Sequence, residues 1–350
     1  MRPAETVRRR PTSYEVARVA GVAQSTVSRC FRDDSGIAPA TRTRVLAIAE
    51  ALGYAPNALA RSLILRRSGT VAVVVTALTF TSNPLLVQAL GRALEAASRQ
   101  VFLVTVETDE PPLSALRALF EYPLDAVVSC AGLSGSVLDQ FRQRGVPVIL
   151  VNRRSPRSHV DQVTTDHARA ARQMATLLVR AGHRDFVCVG GPTDAPVSSE
   201  RLTSFTARLA DLFVPAPTIL VTPFSYDGGR DAFLAAMKGR RRPDAVYCVS
   251  DQLAFGVMDA CRFELGWSVP DDLSVTGFDD VAEAKRPVYQ LTTLHQDVAE
   301  MARTAVSLLL RREQDFEAPG RRVRIPAQLM RRSSARLDAL RGAGGRPQSS

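Results

Sequence analysis

The 350-residue chain predicts an α/β protein: an N-terminal all-α helix-turn-helix domain followed by a larger core of two doubly wound lobes. Three observations carry this. Thr12 to Arg32 hold two short amphipathic helices around a glycine turn. Residues 1–67 contain twelve arginines against five acids, so +7 of the total +10 sits in the first fifth of the chain. From Thr70 onward, apolar β-branched runs alternate with helix-period segments, the texture of parallel strands buried on both faces.

Residues 1–11, with three consecutive arginines, read as a basic arm. Thr12 and Glu15 have the spacing of a capping box, which starts a first helix over Ser13–Ala20. Val16, Ala17 and Ala20 share one face, and Gly21 closes the helix. A second helix, Gln24–Phe31, turns Val27 and Cys30 back towards the first. Small residues at Ala17 and Gly21 let the two backbones cross closely, the arrangement of a helix-turn-helix. A third helix spans about Pro39–Leu52, with proline in its first turn and Gly53 after its end. These three helices complete a domain over residues 12–54. Residues 55–69 follow as a short helix too brief to be stable alone, plus a linker.

In the core, strands are expected at Val71–Thr76, Phe102–Val106, Ala126–Cys130, Val148–Val151, Phe186–Gly190, Ile219–Val221, Val246–Val249 and Ser274–Gly277. Helices are expected at Leu85–Ala97, Ser136–Arg144, Ala168–Ala181, Glu200–Leu212, Gly229–Met237 and Ala254–Phe263. About ten strands over some 260 residues exceed one comfortable sheet, so two lobes are the natural solution. Ligands of such sheets bind beyond the carboxyl ends of the strands, which two lobes can bring face to face across a cleft. The core is expected to span residues 70–334. Residues 335–350, small, polar and glycine-rich, read as a disordered tail.

Composition narrows the function classes. No apolar run approaches a membrane span and the N-terminus carries no apolar signal region, which points to the cytoplasm. The five cysteines form no C-x-x-C pair, and the four histidines have no ligand spacing. No metal and no cofactor is expected. No G-x-S-x-G, G-x-G-x-x-G or Walker loop occurs, so the chain does not read as an enzyme. A basic head on a nearly neutral body suits phosphate binding at one end. The second helix offers Gln24, Ser25 and Arg29 on its exposed face. Glutamine can pair with adenine and arginine with guanine in the major groove. Thr26 and Ser28 carry hydroxyls suited to phosphates, which fix register.

Ordered motifs then match a known pattern along nearly the whole chain. In the head they are Ala20-Gly21-Val22, Thr26-Val27-Ser28-Arg29, Gly53-Tyr54 and the run Pro56 to Leu63, PNALARSL. In the body they are Ser82-Asn83-Pro84, Ala181-Gly182-His183-Arg184, Gly190-Gly191-Pro192, Ser250-Asp251, the run Val269 to Val275, Gly277-Phe278-Asp279-Asp280 and Leu291-Thr292-Thr293-Leu294. The chain resembles transcription regulators of the lactose repressor / galactose repressor family. The resemblance implies a DNA-binding headpiece, a hinge helix and a core like periplasmic binding proteins, assembled as a homodimer on a pseudo-palindromic operator in double-stranded DNA.

The resemblance assigns base reading to Gln24, Ser25 and Arg29. It implies that Leu63 wedges into the minor groove, and places Tyr54, Asn57, Ala60 and Arg61 on the DNA side as well. In the core it implies a small-molecule effector, a sugar or related metabolite, between the lobes. Arg201 and Asp279 match its main polar ligand positions; an Arg–carboxylate pair can clamp adjacent hydroxyls. Phe224 matches a stacking aromatic, and Asp166, Asp251, Gln296 and Asn83 are further candidates. The chain departs from the pattern at Ala23, where the family has a serine cap; at Leu85 and Leu86, where aromatics are usual after Asn-Pro; and at Ser204, where glycine is usual. Two other readings stay open: a dimeric DNA-binding regulator with no effector response or a non-sugar effector, and, more remotely, a solute-binding protein.

Overall fold

The computed structural model describes residues 11–31, 36–55 and 68–338, and the chain divides into one unit up to Ser68 and a second from Gly69. In the first unit, α1 (Ser13–Ala20), α2 (Gln24–Cys30) and α3 (Pro39–Ala51) enclose a small core. That core is Val16, Ala17, Ala20, Val27, Cys30, Val45 and Ala49. The capping box forms: Thr12 Oγ1 accepts from the Glu15 backbone, and the Glu15 carboxylate accepts from the Thr12 backbone at 2.7 Å. Gly21 closes α1 in the left-handed region at φ 66°, and its N–H donates to the Ala17 carbonyl, a conformation that favours glycine. Ala23 caps α2 with no side-chain bond, as the departure from serine implies.

The second unit holds two parallel sheets. The first has the order β11-β5-β4-β3-β1-β2. Its strands are β1 (Thr70–Thr76), β2 (Gln100–Val106), β3 (Ala126–Ser129), β4 (Val148–Val151), β5 (Asp161–Thr165) and β11 (Arg322–Ile325). The second has the order β7-β6-β8-β9, from β6 (Phe186–Gly190), β7 (Thr218–Val221), β8 (Ala245–Cys248) and β9 (Ser274–Thr276). A two-stranded antiparallel piece pairs β10 (Thr293–His295) with β12 (Gln328–Met330). Each sheet lies between helices, and the first has a separate apolar core on each face.

The chain crosses between lobes three times, at residues 165–167, 295–298 and 325–328. Each crossing leaves one core and enters the other: Val163 packs in the first lobe and Ala170 in the second, Leu294 in the second and Met301 in the first. All eight expected strands are present. The additional β5 reads DQVTT, yet every one of its residues is buried. Asp161 explains how. It is fully buried and accepts from Arg312 Nε at 2.9 Å and Nη2 at 2.8 Å, from Arg311 at 2.8 Å and from the Arg321 backbone at 2.8 Å. This cluster ties β5 to the helix Val298–Gln314 and to the start of β11.

The expected tail starts too early. Ala335 and Leu337 pack into the second lobe, and the Arg336 N–H donates to Ser274 Oγ at 2.9 Å. Packing therefore continues past residue 334, because the alternating small and apolar residues Ala335 and Leu337 have a sheet to lie on.

Candidate functional site

Two places gather the sequence-predicted residues. On the first unit, Ser25 and Arg29 are exposed on α2, and Gln24, Thr26 and Ser28 are partly so. Gln24 does not hang free: its Nε2 donates to Ser13 Oγ at 3.1 Å. Ser13 is the first residue of the capped helix α1, so the amide is anchored to a rigid point. Tyr54 is half-buried, its ring edge-on to Phe31 at 5.8 Å, and so helps seat the helix that carries the reading face. Asn57, Ala60, Arg61 and Leu63 lie outside the described residues.

In the second unit the site is a cleft between the lobes, at the carboxyl ends of the strands, as doubly wound topology dictates. Its inner chamber, about 100 Å³, is walled on one side by Leu78, Asn83, Leu86, Cys130 and Val151. The opposite wall has Ser198, Arg201, Phe224, Ser250 and Asp279, and Gln296 belongs to a crossing segment. Asn83 caps the helix Pro84–Ala96, its Oδ1 accepting from Leu86 N–H at 3.3 Å. The far end of the Phe224 ring packs directly against Gly191, where a Cβ would come within 2.2 Å of it. Glycine is needed there because any side chain would displace this apolar plate.

The polar heart is Arg201. It is 4% exposed, on the helix Pro196–Asp211. Its Nη1 donates to the Val249 carbonyl at 2.7 Å and to Asp279 Oδ1 at 3.0 Å. Its Nε donates to His167 Nδ1 at 3.2 Å, and its guanidinium carbon lies 3.6 Å from the centre of the Phe278 ring. Asp279 follows β9 with φ 123° and Asp280 with φ 59°, so two successive non-glycine residues hold strained backbone to aim the carboxylate. Burial pushes the Asp279 carboxyl up, against the Arg201 charge and the donated bonds. Gln296 links the lobes: its Nε2 donates to Asp279 at 2.7 Å, while its Oε1 accepts from Thr165 Oγ1 at 2.8 Å and Asn152 Nδ2 at 3.3 Å.

Two expected ligands stand elsewhere. Asp251 is fully buried behind the wall; it accepts from Thr293 Oγ1 at 2.5 Å and from Val281 N–H at 2.9 Å. A Cβ on Gly277 would come within 2.3 Å of its carboxylate. It props the turn that presents Asp279 and lines no chamber. Burial first, then the Asp279 charge, push its pKa up to about 7. Asp166 caps the helix His167–Arg180, accepting from Arg169 N–H at 3.3 Å. Its carboxylate serves that helix end and lines neither chamber.

Several residues of the cleft were not foreseen from sequence, among them Asn152, Arg153 and His167. Asn152 and Arg153 extend β4, and Arg153 Nε donates to both Asp109 oxygens at 2.8 and 3.0 Å. His167 follows the Asp166 cap directly; a histidine at the start of an otherwise apolar helix face was the available signal. Burial, then the Arg201 charge, hold its pKa well below the ordinary value, so the ring is neutral. Among the described residues no cluster of His, Cys, Asp or Glu could hold a metal ion. No described helix is long and apolar enough to cross a membrane.

Comparison with known proteins finds similarity in both units. Residues 12–57 match bacterial regulatory proteins of the lacI family, and residues 175–335 match a periplasmic binding protein-like domain. The ribose operon repressor of Escherichia coli (strain K12) is 30% identical over 330 residues, which is 93% of this chain and 99% of that protein. Among solved structures, the lac repressor dimer bound to operator and the anti-inducer ONPF has the same fold: TM-score 0.83 at 24% identity, over 93% of this chain and 99% of that one. A transcriptional regulator CelR–cellobiose complex matches with TM-score 0.67 and 28% identity, over 93% of this chain and all of that one (100%).

Proposed function

The chain belongs to the lacI family of bacterial regulatory proteins, DNA-binding transcription regulators, and from that premise we propose how its own residues do this work. It is a repressor that binds operator DNA as a homodimer and answers to a small metabolite, a sugar by its chemistry, held in the inner chamber. The cytoplasm is where both operator and metabolite are met. On the DNA side, Gln24, Ser25 and Arg29 read base edges, while Thr26 and Ser28 take phosphates. The roles of Leu63, Asn57, Ala60 and Arg61 rest on the family pattern, with Leu63 as the minor-groove wedge.

One observation carries the effector assignment: Arg201 and Asp279 are paired at the carboxyl ends of the second lobe's strands, and Gln296 joins that pair to Asn152 and Thr165 of the first lobe. A ligand hydroxyl that enters this network changes bonds in both lobes at once. Arg201 and Asp279 then hold adjacent hydroxyls, Phe224 covers a ring face, and Asn83 closes the far side. Regulation follows from linkage: the ligand shifts operator affinity by as much as it prefers one lobe arrangement over the other.

Selection from random duplex DNA, repeated with ribose, cellobiose or adenine present, tests this reading. A pseudo-palindromic sequence should be enriched, and one metabolite class should change its affinity. Arg201→Ala should keep operator binding and lose the metabolite response. A chain with no preference among duplexes at physiological ionic strength would end the proposal.

A further inference from the structure

The cleft has a second compartment. An outer chamber of about 380 Å³ shares Asn152, Arg153, Pro196 and Val197 with the inner one, which has about 100 Å³. The larger space is therefore not the one in which Arg201 and Asp279 meet. Its walls carry four carboxylates, from Asp109, Glu110, Asp194 and Glu200, and two guanidinium groups, from Arg153 and Arg154. Arg153 is paired with Asp109, and Arg154 with Glu200. Among the described residues no ion pair engages Glu110 or Asp194, so the chamber is net acidic.

His167 stands between the two compartments. It is 1% exposed and lines the outer chamber, while its Nδ1 accepts from Arg201 of the inner one. An acceptor Nδ1 on a neutral ring places the proton on Nε2. That Nε2–H is buried and has no hydrogen-bond partner among the described residues. A buried donor without an acceptor is costly, and the cost is recovered when a ligand oxygen arrives. A second sign is Glu110. It is a non-glycine residue at φ 53°, held by its N–H to the Gly132 carbonyl at 3.0 Å, on the rim of the same chamber. Backbone strain of this kind persists where the surrounding structure needs the side chain there.

We propose that the effector fills both chambers: a neutral, two-unit saccharide, one ring between Phe224 and Arg201–Asp279, the second in the outer chamber with an oxygen on His167 Nε2. This rests on the effector reading above and narrows it. Carboxylates accept from sugar hydroxyls, while His167 and the arginines donate to sugar oxygens, so the mixed wall suits a polyol. The acidic excess repels a phosphate ester. A single ring satisfies Arg201 and Asp279 and leaves the His167 donor unmet.

Calorimetric titration of the full chain with glucose, cellobiose, maltose, glucose 6-phosphate and adenine tests this. A disaccharide should bind at least about tenfold more tightly than glucose, and glucose 6-phosphate should bind no better than glucose. The double substitution Glu110→Ala, Asp194→Ala, both at exposed rim positions, should weaken the disaccharide about tenfold and leave glucose unchanged. His167→Ala should do the same to the ratio of the two, even where it also weakens both through Arg201. If glucose or adenine binds as tightly as any disaccharide, or the rim variant weakens both sugars alike, the two-chamber proposal falls and the inner-chamber effector stands. If none of the five produces heat, both fall together.

Discussion

Arg201 donates to Asp279 at 3.0 Å, so the cation and anion of the inner chamber are already joined across the second lobe. The pair is nearly dry, with side chains 5% and 15% exposed. A ligand must therefore compete for these two groups by inserting hydroxyls between or beside them. It cannot simply find free charges.

Arg201→Lys should uncouple the site. Lysine has one ammonium in place of a planar fork that serves His167, Val249 and Asp279 together and stacks on Phe278. Effector affinity should fall at least about tenfold, and stability should drop by about 3 kcal/mol as the buried bonds go unmade. Calorimetry and urea unfolding read the two effects separately; unchanged values in both would remove Arg201 from the site.

Gly191→Ala probes the aromatic plate alone. The new methyl would lie 2.2 Å from the Phe224 ring, which must swing away. Phe224 is half-buried at the cleft, so the fold should survive with a loss of about 1–3 kcal/mol, the usual cost of overpacking. Effector binding should weaken while operator binding without effector stays normal. Equal effector affinity in mutant and wild type would show that Phe224 covers no ligand.

Asp251 predicts a pH dependence. Its folded pKa, raised to about 7, exceeds that of an unfolded aspartate, so the native state holds the proton more tightly. This group's contribution to stability is complete below about pH 4 and is lost as pH rises through about 7. Burial pushes Asp279 in the same direction. Asp251→Asn should flatten that part of the profile, measured by denaturant unfolding at intervals from pH 4 to 8. A mutant profile parallel to wild type would show that Asp251 does not titrate there.

Ser13→Ala should alter which base Gln24 prefers. With one amide hydrogen bound to Ser13, Gln24 presents Oε1 and its second N–H outward, an acceptor and a donor that match adenine's N6–H and N7. Without the hydroxyl the amide can flip, and preference at that base should relax by about 1 kcal/mol. The slope of affinity against salt should stay the same, because no phosphate contact is lost. Selection from random duplexes reads the base preference, and an unchanged profile would make the Ser13 bond incidental.

The head and the alternation of the core were legible because their causes are local. The capping box of Thr12 and Glu15, the glycine at 21 and the face of Val16, Ala20 and Val27 lie within one short stretch of chain. Strands such as Val71–Thr76 announce themselves through β-branched runs that can only be buried. Family resemblance pointed to Arg201, Asp279, Phe224, Asn83 and Gln296, and all five line the inner chamber. Asp166 and Asp251 line neither chamber, because a carboxylate near a strand end can serve a helix cap or prop a turn as readily as face a cleft.

Sequence alone determined the periodicities, the caps and the basic head, because each depends on neighbours a few residues apart. Tertiary structure decided what no local pattern encodes. Polar strand β5 is buried because Asp161 meets Arg311 and Arg312, 150 and 151 residues away. Gln296 bridges the lobes because three chain crossings bring it to Thr165, 131 residues distant. His167 keeps one ring nitrogen for Arg201 and the other unpartnered only because two lobes close around it. Pairing over such distances depends on how whole sheets pack, and packing is a property of the folded chain.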